Sequence, residues 1–134
     1  MEAVKASTTD MDECDVVVPR NKVAEFIKYT DKLQEEFNVR IRSFGHAGDG
    51  NLHIYILKDD MNEEQWYKKL NDVFECMYTK AIELNGKVSG EHGIGFAKRT
   101  FLFESEGNIT MSIMKGIKST FDPNNILNPG KVCQ

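Results

Sequence analysis

The residues best suited to chemistry are the three histidines, and all of them lie in two glycine-rich segments. His46 and His53 fall in Gly45-His-Ala-Gly-Asp-Gly-Asn-Leu-His53, and His92 falls in Ser89-Gly-Glu-His-Gly-Ile-Gly95. Two imidazoles joined by one carboxylate, Glu91 or Asp49, would suit zinc, manganese or ferrous iron and leave coordination positions open. The competing reading is that loop histidines only meet solvent or bond the backbone. Glu91-His92 is expected at a strand exit, where a side chain is held firmly yet reaches a ligand. An imidazole there can serve as general base, because its ordinary pKa lies near neutrality; a plain loop histidine is again the alternative. Gly48-Asp49-Gly50 can cup an anion with its backbone N–H groups. It is no Walker loop, since no Gly-Lys-Ser/Thr follows, and Gly93-Ile-Gly95 is not a dinucleotide fingerprint.

These residues must be placed by the elements around them. Val16, Val17 and Val18 are β-branched and stop at Pro19, which predicts a strand. Asn21 can cap a helix that carries Val23, Phe26, Ile27, Thr30, Leu33 and Phe37 at helical spacing to about Asn38. Residues 40–45 read as a second strand and 47–51 as a turn. His46 then ends one strand and His53 begins its partner, so a hairpin can bring two imidazoles to one edge. In the strand after the turn, Leu52, Ile54 and Ile56 share one face, and His53, Tyr55 and Leu57 share the other. Asn62 and Gln65 form a capping box ahead of a long helix with Trp66, Leu70, Val73, Phe74, Met77, Ala81 and Leu84 at core spacing. Asn85-Gly86 stops it, and residues 87–90 predict a fourth strand.

The order β-α-β-β-α-β predicts an α+β fold, a ferredoxin-like sandwich with an antiparallel sheet. A third helix is expected over about 108–120, with Ile109, Ile113, Ile117 and Phe121 four apart. Asp122-Pro123 ends it and an irregular tail follows. The two sandwich helices cover one sheet face. Tyr55 and Leu57 beside His53 therefore predict a docking surface on the other, unless the tail folds over it.

At 134 residues, with 40% hydrophobic and 28% charged residues, the chain has the composition of one folded domain spanning 1–134. A net charge of −4 without a basic block argues against nucleic acid as a partner. No apolar run reaches the ~20 residues of a membrane helix, and no signal peptide is evident. Cys14, Cys76 and Cys133 are odd in number and widely spaced, so a disulfide framework is not expected and a cytoplasmic location is.

Three stretches together, 44–53, 89–95 and Phe121-Asp-Pro-Asn-Asn-Ile-Leu-Asn-Pro-Gly-Lys131, resemble the C-terminal domain of FAD-linked 2-hydroxy acid oxidoreductases. This vanillyl-alcohol-oxidase-type group includes the glycolate oxidase flavin subunit, D-lactate dehydrogenases and D-2-hydroxyglutarate dehydrogenase. The resemblance implies that a separate N-terminal FAD-binding domain precedes a chain like this one, and that the fragment alone is inactive. It implies His46, His53 and Glu91 as ligands of zinc or another divalent metal, and His92 as the catalytic, substrate-facing base. It places Asn128 in a segment returning to the flavin, a candidate cofactor contact. Electrons would pass to an iron–sulfur subunit, electron-transfer flavoprotein, quinone or cytochrome, which can bring the protein to a membrane. Tyr55 stands where the 2-hydroxyglutarate enzymes carry a substrate-binding Asn, which favours a glycolate or D-lactate type. The family's substrate-carboxylate Arg would fall ahead of Met1, and Cys14 lies near a position where some members have a substrate-binding Lys. An isolated fragment is also expected to self-associate. The reading from a different class is a stand-alone ferredoxin-like metal- or ligand-binding module.

Overall fold

A computed structural model describes residues 2–133. The chain divides into two compact units, Met1–Glu91 and His92–Gln134.

The first unit opens with a one-turn helix, α1 (Glu2–Lys5), and then runs β1 (Met11–Val17), α2 (Val23–Phe37), β2 (Arg40–His46), β3 (Asn51–Leu57) and α3 (Glu63–Glu83). The sheet is antiparallel with β3 in the centre, in the order β1-β3-β2. Its core side carries Cys14, Val16, Ile41, Leu52, Ile54 and Ile56, all buried. Phe26, Thr30 and Leu33 of α2 and Trp66, Leu70, Val73, Met77 and Ala81 of α3 are buried at helical spacing and complete the core. Burying one such aliphatic or aromatic side chain contributes roughly 1.5–3 kcal/mol.

The helix boundaries have local causes. Asn62 accepts from the Gln65 backbone N–H at 2.9 Å and the Gln65 side chain returns to the Asn62 N–H, so the capping box forms as its sequence predicts. Asn85 takes a left-handed φ of 60° and ends α3, with the Gly86 N–H on the Ala81 carbonyl. Asn21 does not cap α2. It sits inside a 3-10 turn, Arg20–Lys22, that leads from Pro19 into the helix.

The expected fourth strand shortens to a single bridge, in which Val17 and Lys87 exchange both backbone hydrogen bonds. The reason is a competing acceptor. The N–H groups of Gly90 and Glu91 and the Ser89 hydroxyl turn to the carboxylate of Asp15, a buried residue of β1. A side chain thus takes the donors that a fourth ladder would have used. The bridge still puts this segment on the outer edge of β1, where a split βαβ fold places its last strand.

The second sheet face differs from expectation. Leu57 is fully buried and Tyr55 half-buried, with its ring edge-on to Phe44 at 5.9 Å. The exposed aromatic there is Phe44. Tyr55 and Leu57 therefore do not make an open apolar patch.

In the second unit α4 (Arg99–Phe121) bends at Gly107, whose φ of 71° is left-handed. Ile109, Ile113, Ile117 and Phe121 are all exposed, from 57% to 81%. The four-residue period correctly put them on one helix face, but that face is not core. After α4 the chain is held by Asp122, which accepts from the Ile126 and Leu127 N–H groups at 2.9 Å each. Arg99 donates to the Gly130 carbonyl at 2.7 Å, and the Val132 N–H bonds Gly95 O at 2.8 Å. Phe96 lies beneath both Arg99 and Lys131, 4.7 and 5.3 Å from its ring centre.

Candidate functional site: two histidines on one carboxylate

His46 is the last residue of β2 and Asn51 the first of β3, and the two are directly paired. Four residues join them in a turn closed by the Asp49 N–H on the His46 carbonyl at 2.8 Å. Gly50 is required there. Its φ is +76°, and a Cβ would lie 1.9 Å from the Val18 carbonyl oxygen. The same closeness lets Val18 N–H bond Gly50 O at 2.9 Å, tying the turn to the end of β1. His53, two residues into β3, points to the same side as Asn51 and sits opposite Asp15 of β1 and Phe44 of β2.

The two imidazoles and Glu91 converge. His53 Nε2 lies 3.0 Å from Glu91 Oε1, and His46 Nε2 lies 3.8 Å from the same oxygen. The rings are edge-to-face with centres 6.5 Å apart. Two imidazoles beside one carboxylate are donor types that divalent ions take. Of the two carboxylates weighed from sequence, Glu91 is the one beside both histidines.

Three further residues of β1 and β3 shape the group, and sequence reasoning missed them. Asn51, nearly buried, donates through its side-chain amide to Glu91 Oε1 and lies 3.4 Å from His53 Nε2. Glu13 Oε1 lies 2.6 Å from His53 Nδ1. Asp15 holds the Ser89-Gly90-Glu91 backbone, as described above. Gly90 is confined between them, since a Cβ would meet Asn51 Oδ1 at 2.0 Å and Asp15 Oδ1 at 2.8 Å. The signal available in the sequence was alternation, because Glu13 and Asp15 share a strand face. Their register against β3 was not readable.

Electrostatics follow the contacts. Burial draws the His53 pKa down, but the hydrogen bonds and charges of Glu13 and Glu91 outweigh it and hold His53 above its ordinary 6.5. Burial raises the Tyr55 phenol, and the charge and hydrogen bond of Glu13, directly across the sheet, raise it further.

The other two sequence candidates lie in the second unit. His92 is its first residue, next after Glu91 in the chain, and is exposed. Asn128 is exposed and left-handed, with φ 47°, in the irregular stretch after α4.

A three-stranded α+β unit in which two histidines meet one carboxylate, with three ordered motifs, defines a recognisable class. The chain belongs to the family of FAD linked oxidases, C-terminal domain, which matches residues 1–132. Among its relatives, a D-lactate dehydrogenase of Anaerostipes hadrus is 54% identical over 133 residues, 99% of this chain and 28% of that protein. The glycolate oxidase subunit GlcD of Bacillus subtilis (strain 168) is 39% identical over 118 residues, 88% of this chain and 25% of that protein. A D-2-hydroxyglutarate dehydrogenase of Stutzerimonas stutzeri (strain A1501) is 40% identical over 121 residues, 88% and 26% respectively. The chain thus spans about a quarter of the length of these relatives. Family membership favours a domain of an FAD-linked oxidoreductase over a stand-alone module.

Proposed function

We propose that this chain is the C-terminal substrate- and metal-binding domain of a flavin-dependent 2-hydroxy acid dehydrogenase or oxidase of glycolate or D-lactate type. The observation that carries the reading is the meeting of His46 and His53 on the Glu91 carboxylate in a chain of this family. When bound, flavin supplies the hydride acceptor and a divalent ion such as zinc a Lewis acid for the hydroxy acid's oxygens.

The chain's own residues then divide the work. His46, His53 and Glu91 hold the ion and so fix where the substrate's hydroxyl and carboxylate oxygens sit. His92 accepts the hydroxyl proton as the α-carbon is oxidised. Asn128 contacts the flavin, which an N-terminal FAD-binding domain holds for the most part. Tyr55 stands on the His53 side of the sheet, and its bulk favours a short hydroxy acid. The exposed face of α4, Ile109, Ile113, Ile117 and Phe121, is the surface we assign to the flavin-binding domain. Left uncovered, it makes the isolated chain self-associate. A redox partner (iron–sulfur subunit, electron-transfer flavoprotein, quinone or cytochrome) receives the electrons. The three cysteines are not joined in disulfides, which suits the reducing cytoplasm, and no described helix is long and apolar enough to cross a membrane.

The test is anaerobic mixing of the longer, flavin-containing protein with 2-hydroxy acids, read as loss of flavin absorbance. His92→Ala should slow flavin reduction ~10²–10⁴-fold while substrate binding changes much less. His46→Ala should lose metal first, with partial recovery in excess metal. Flavin reduction at the unmodified rate in the His92 variant across neutral pH would overturn the assignment of the base.

A further inference from the structure

We infer that Glu13 is a positioning residue for this centre: its carboxylate keeps the proton of His53 on Nδ1, so that the bare Nε2 is the nitrogen on the Glu91 side. The inference rests on the proposed metal reading and extends it to a residue outside the ligand set.

The argument begins with the ring's two nitrogens. A neutral imidazole carries one N–H, and a metal binds only the bare nitrogen. Glu91 approaches His53 at Nε2, through the oxygen that also lies 3.8 Å from His46 Nε2, so Nε2 is the atom that must be bare. Two carboxylates compete for the proton, Glu13 at Nδ1 and Glu91 at Nε2. Glu13 has the stronger hold on three counts. Its contact is shorter, 2.6 against 3.0 Å. Its side chain is 20% exposed, whereas that of Glu91 is 49% exposed, so its charge is less screened. And Glu91 Oε1 already accepts the Asn51 amide, which weakens its pull on a second proton. The Asn51 amide nitrogen, 3.4 Å from Nε2, is itself a donor, so a bare Nε2 also suits Asn51.

Glu13 is in turn held in place. It sits directly across from Tyr55 in the β1–β3 ladder, and the Tyr55 phenol bonds it. Its alternative role, a structural ion pair, fits the charges less well. Glu13 and Glu91 flank one partly buried imidazole, an excess of negative charge that a divalent cation would relieve. A carboxylate behind a ligating imidazole fixes tautomer and ring orientation, and losing it typically weakens metal affinity 10–100-fold.

Two measurements on the full 134-residue chain test this. In the metal-free protein at about two pH units above the ordinary histidine value, ring nitrogen NMR should find His53 protonated at Nδ1. Glu13→Ala should lose that preference, and Glu13→Gln should keep it, because an amide oxygen still accepts the Nδ1–H. Titration with zinc or cobalt should give 10–100-fold weaker binding for Glu13→Ala, with Glu13→Gln between it and the unmodified chain. Thermal melting of the metal-free variants separates this loss from simple unfolding. His53 protonated at Nε2 in the unmodified chain would overturn the inference without any variant. So would a Glu13→Ala chain that binds metal as tightly as the original, and in that case the metal reading survives. Failure of the unmodified chain to bind either ion would overturn the metal reading, and this inference with it.

Discussion

Asp15→Ala should detach Glu91 from His46 and His53. Asp15 is fully buried, and its Oδ2 accepts three donors: Ser89 Oγ at 2.9 Å, Gly90 N at 3.0 Å and Glu91 N at 3.3 Å. Hydrogen bonds to a charged group contribute about 1.5–3 kcal/mol each, and the third is long enough to count for less. Truncation also leaves two backbone donors without their acceptor, although the loosened loop can carry them to water. Together these give an expected loss of ~3–5 kcal/mol, a large part of the ~5–15 kcal/mol that holds a domain of this kind folded. Asp15→Asn keeps an acceptor oxygen but no charge, so its loss should be about 1–2 kcal/mol. The assay is urea unfolding of the metal-free chain beside metal titration at a urea concentration where both variants remain folded. Asp15→Asn should bind zinc more weakly, because the Glu91 backbone is less firmly held. An Asp15→Ala chain with an unchanged unfolding midpoint and unchanged metal affinity would refute the reasoning.

Gly50→Ala should destabilise the first unit by more than ~2 kcal/mol, because the left-handed φ and the approach to Val18 O both resist a Cβ; a thermal melt reads this. The metal-free chain should lose stability as pH rises past the ordinary value of His53. The sign follows from the raised pKa: the contribution is fully present below 6.5, the unfolded value, and is lost as pH climbs through the higher folded value. Thermal midpoints taken across that window should slope downward, and His53→Gln should flatten the slope.

The parts of the fold legible in the sequence were those governed by local rules. The Asn62–Gln65 box, the Asn85 stop and the alternation of Leu52, Ile54 and Ile56 depend on neighbours within one turn or one strand, and they form as written. The fourth strand failed because its N–H groups had a second acceptor, Asp15, 75 residues away for Gly90. Periodicity put Ile109, Ile113 and Ile117 on one face but could not say whether anything covered it. The same limit explains Leu57, placed on the right side of β3 but wrongly expected to be open. In the site, the hairpin histidines were legible because four residues separate their strands. Glu91 was one of two carboxylates the residues left open, with Asp49, and motif resemblance selected it; Glu13 and Asn51 were not legible at all, since their roles depend on register and rotamer.

The three converging side chains are spread unevenly along the chain, and this sets an order of events as the protein is made. His46 and His53 share a hairpin and can approach each other as soon as β2 and β3 pair. Glu91 comes 38 residues after His53, beyond the whole of α3, and cannot arrive until that helix has packed. A contact across this separation also carries a larger loop-closure entropy than one within a hairpin. A growing chain therefore passes through a stage with both imidazoles in place and Glu91 still absent, a set with a weaker hold on any ion. In the proposed reading, firm capture waits for the last edge of the first unit to dock. An ion bound tightly would then serve as a certificate of completed folding, and chains stalled before that step would leave the scarce cation to others.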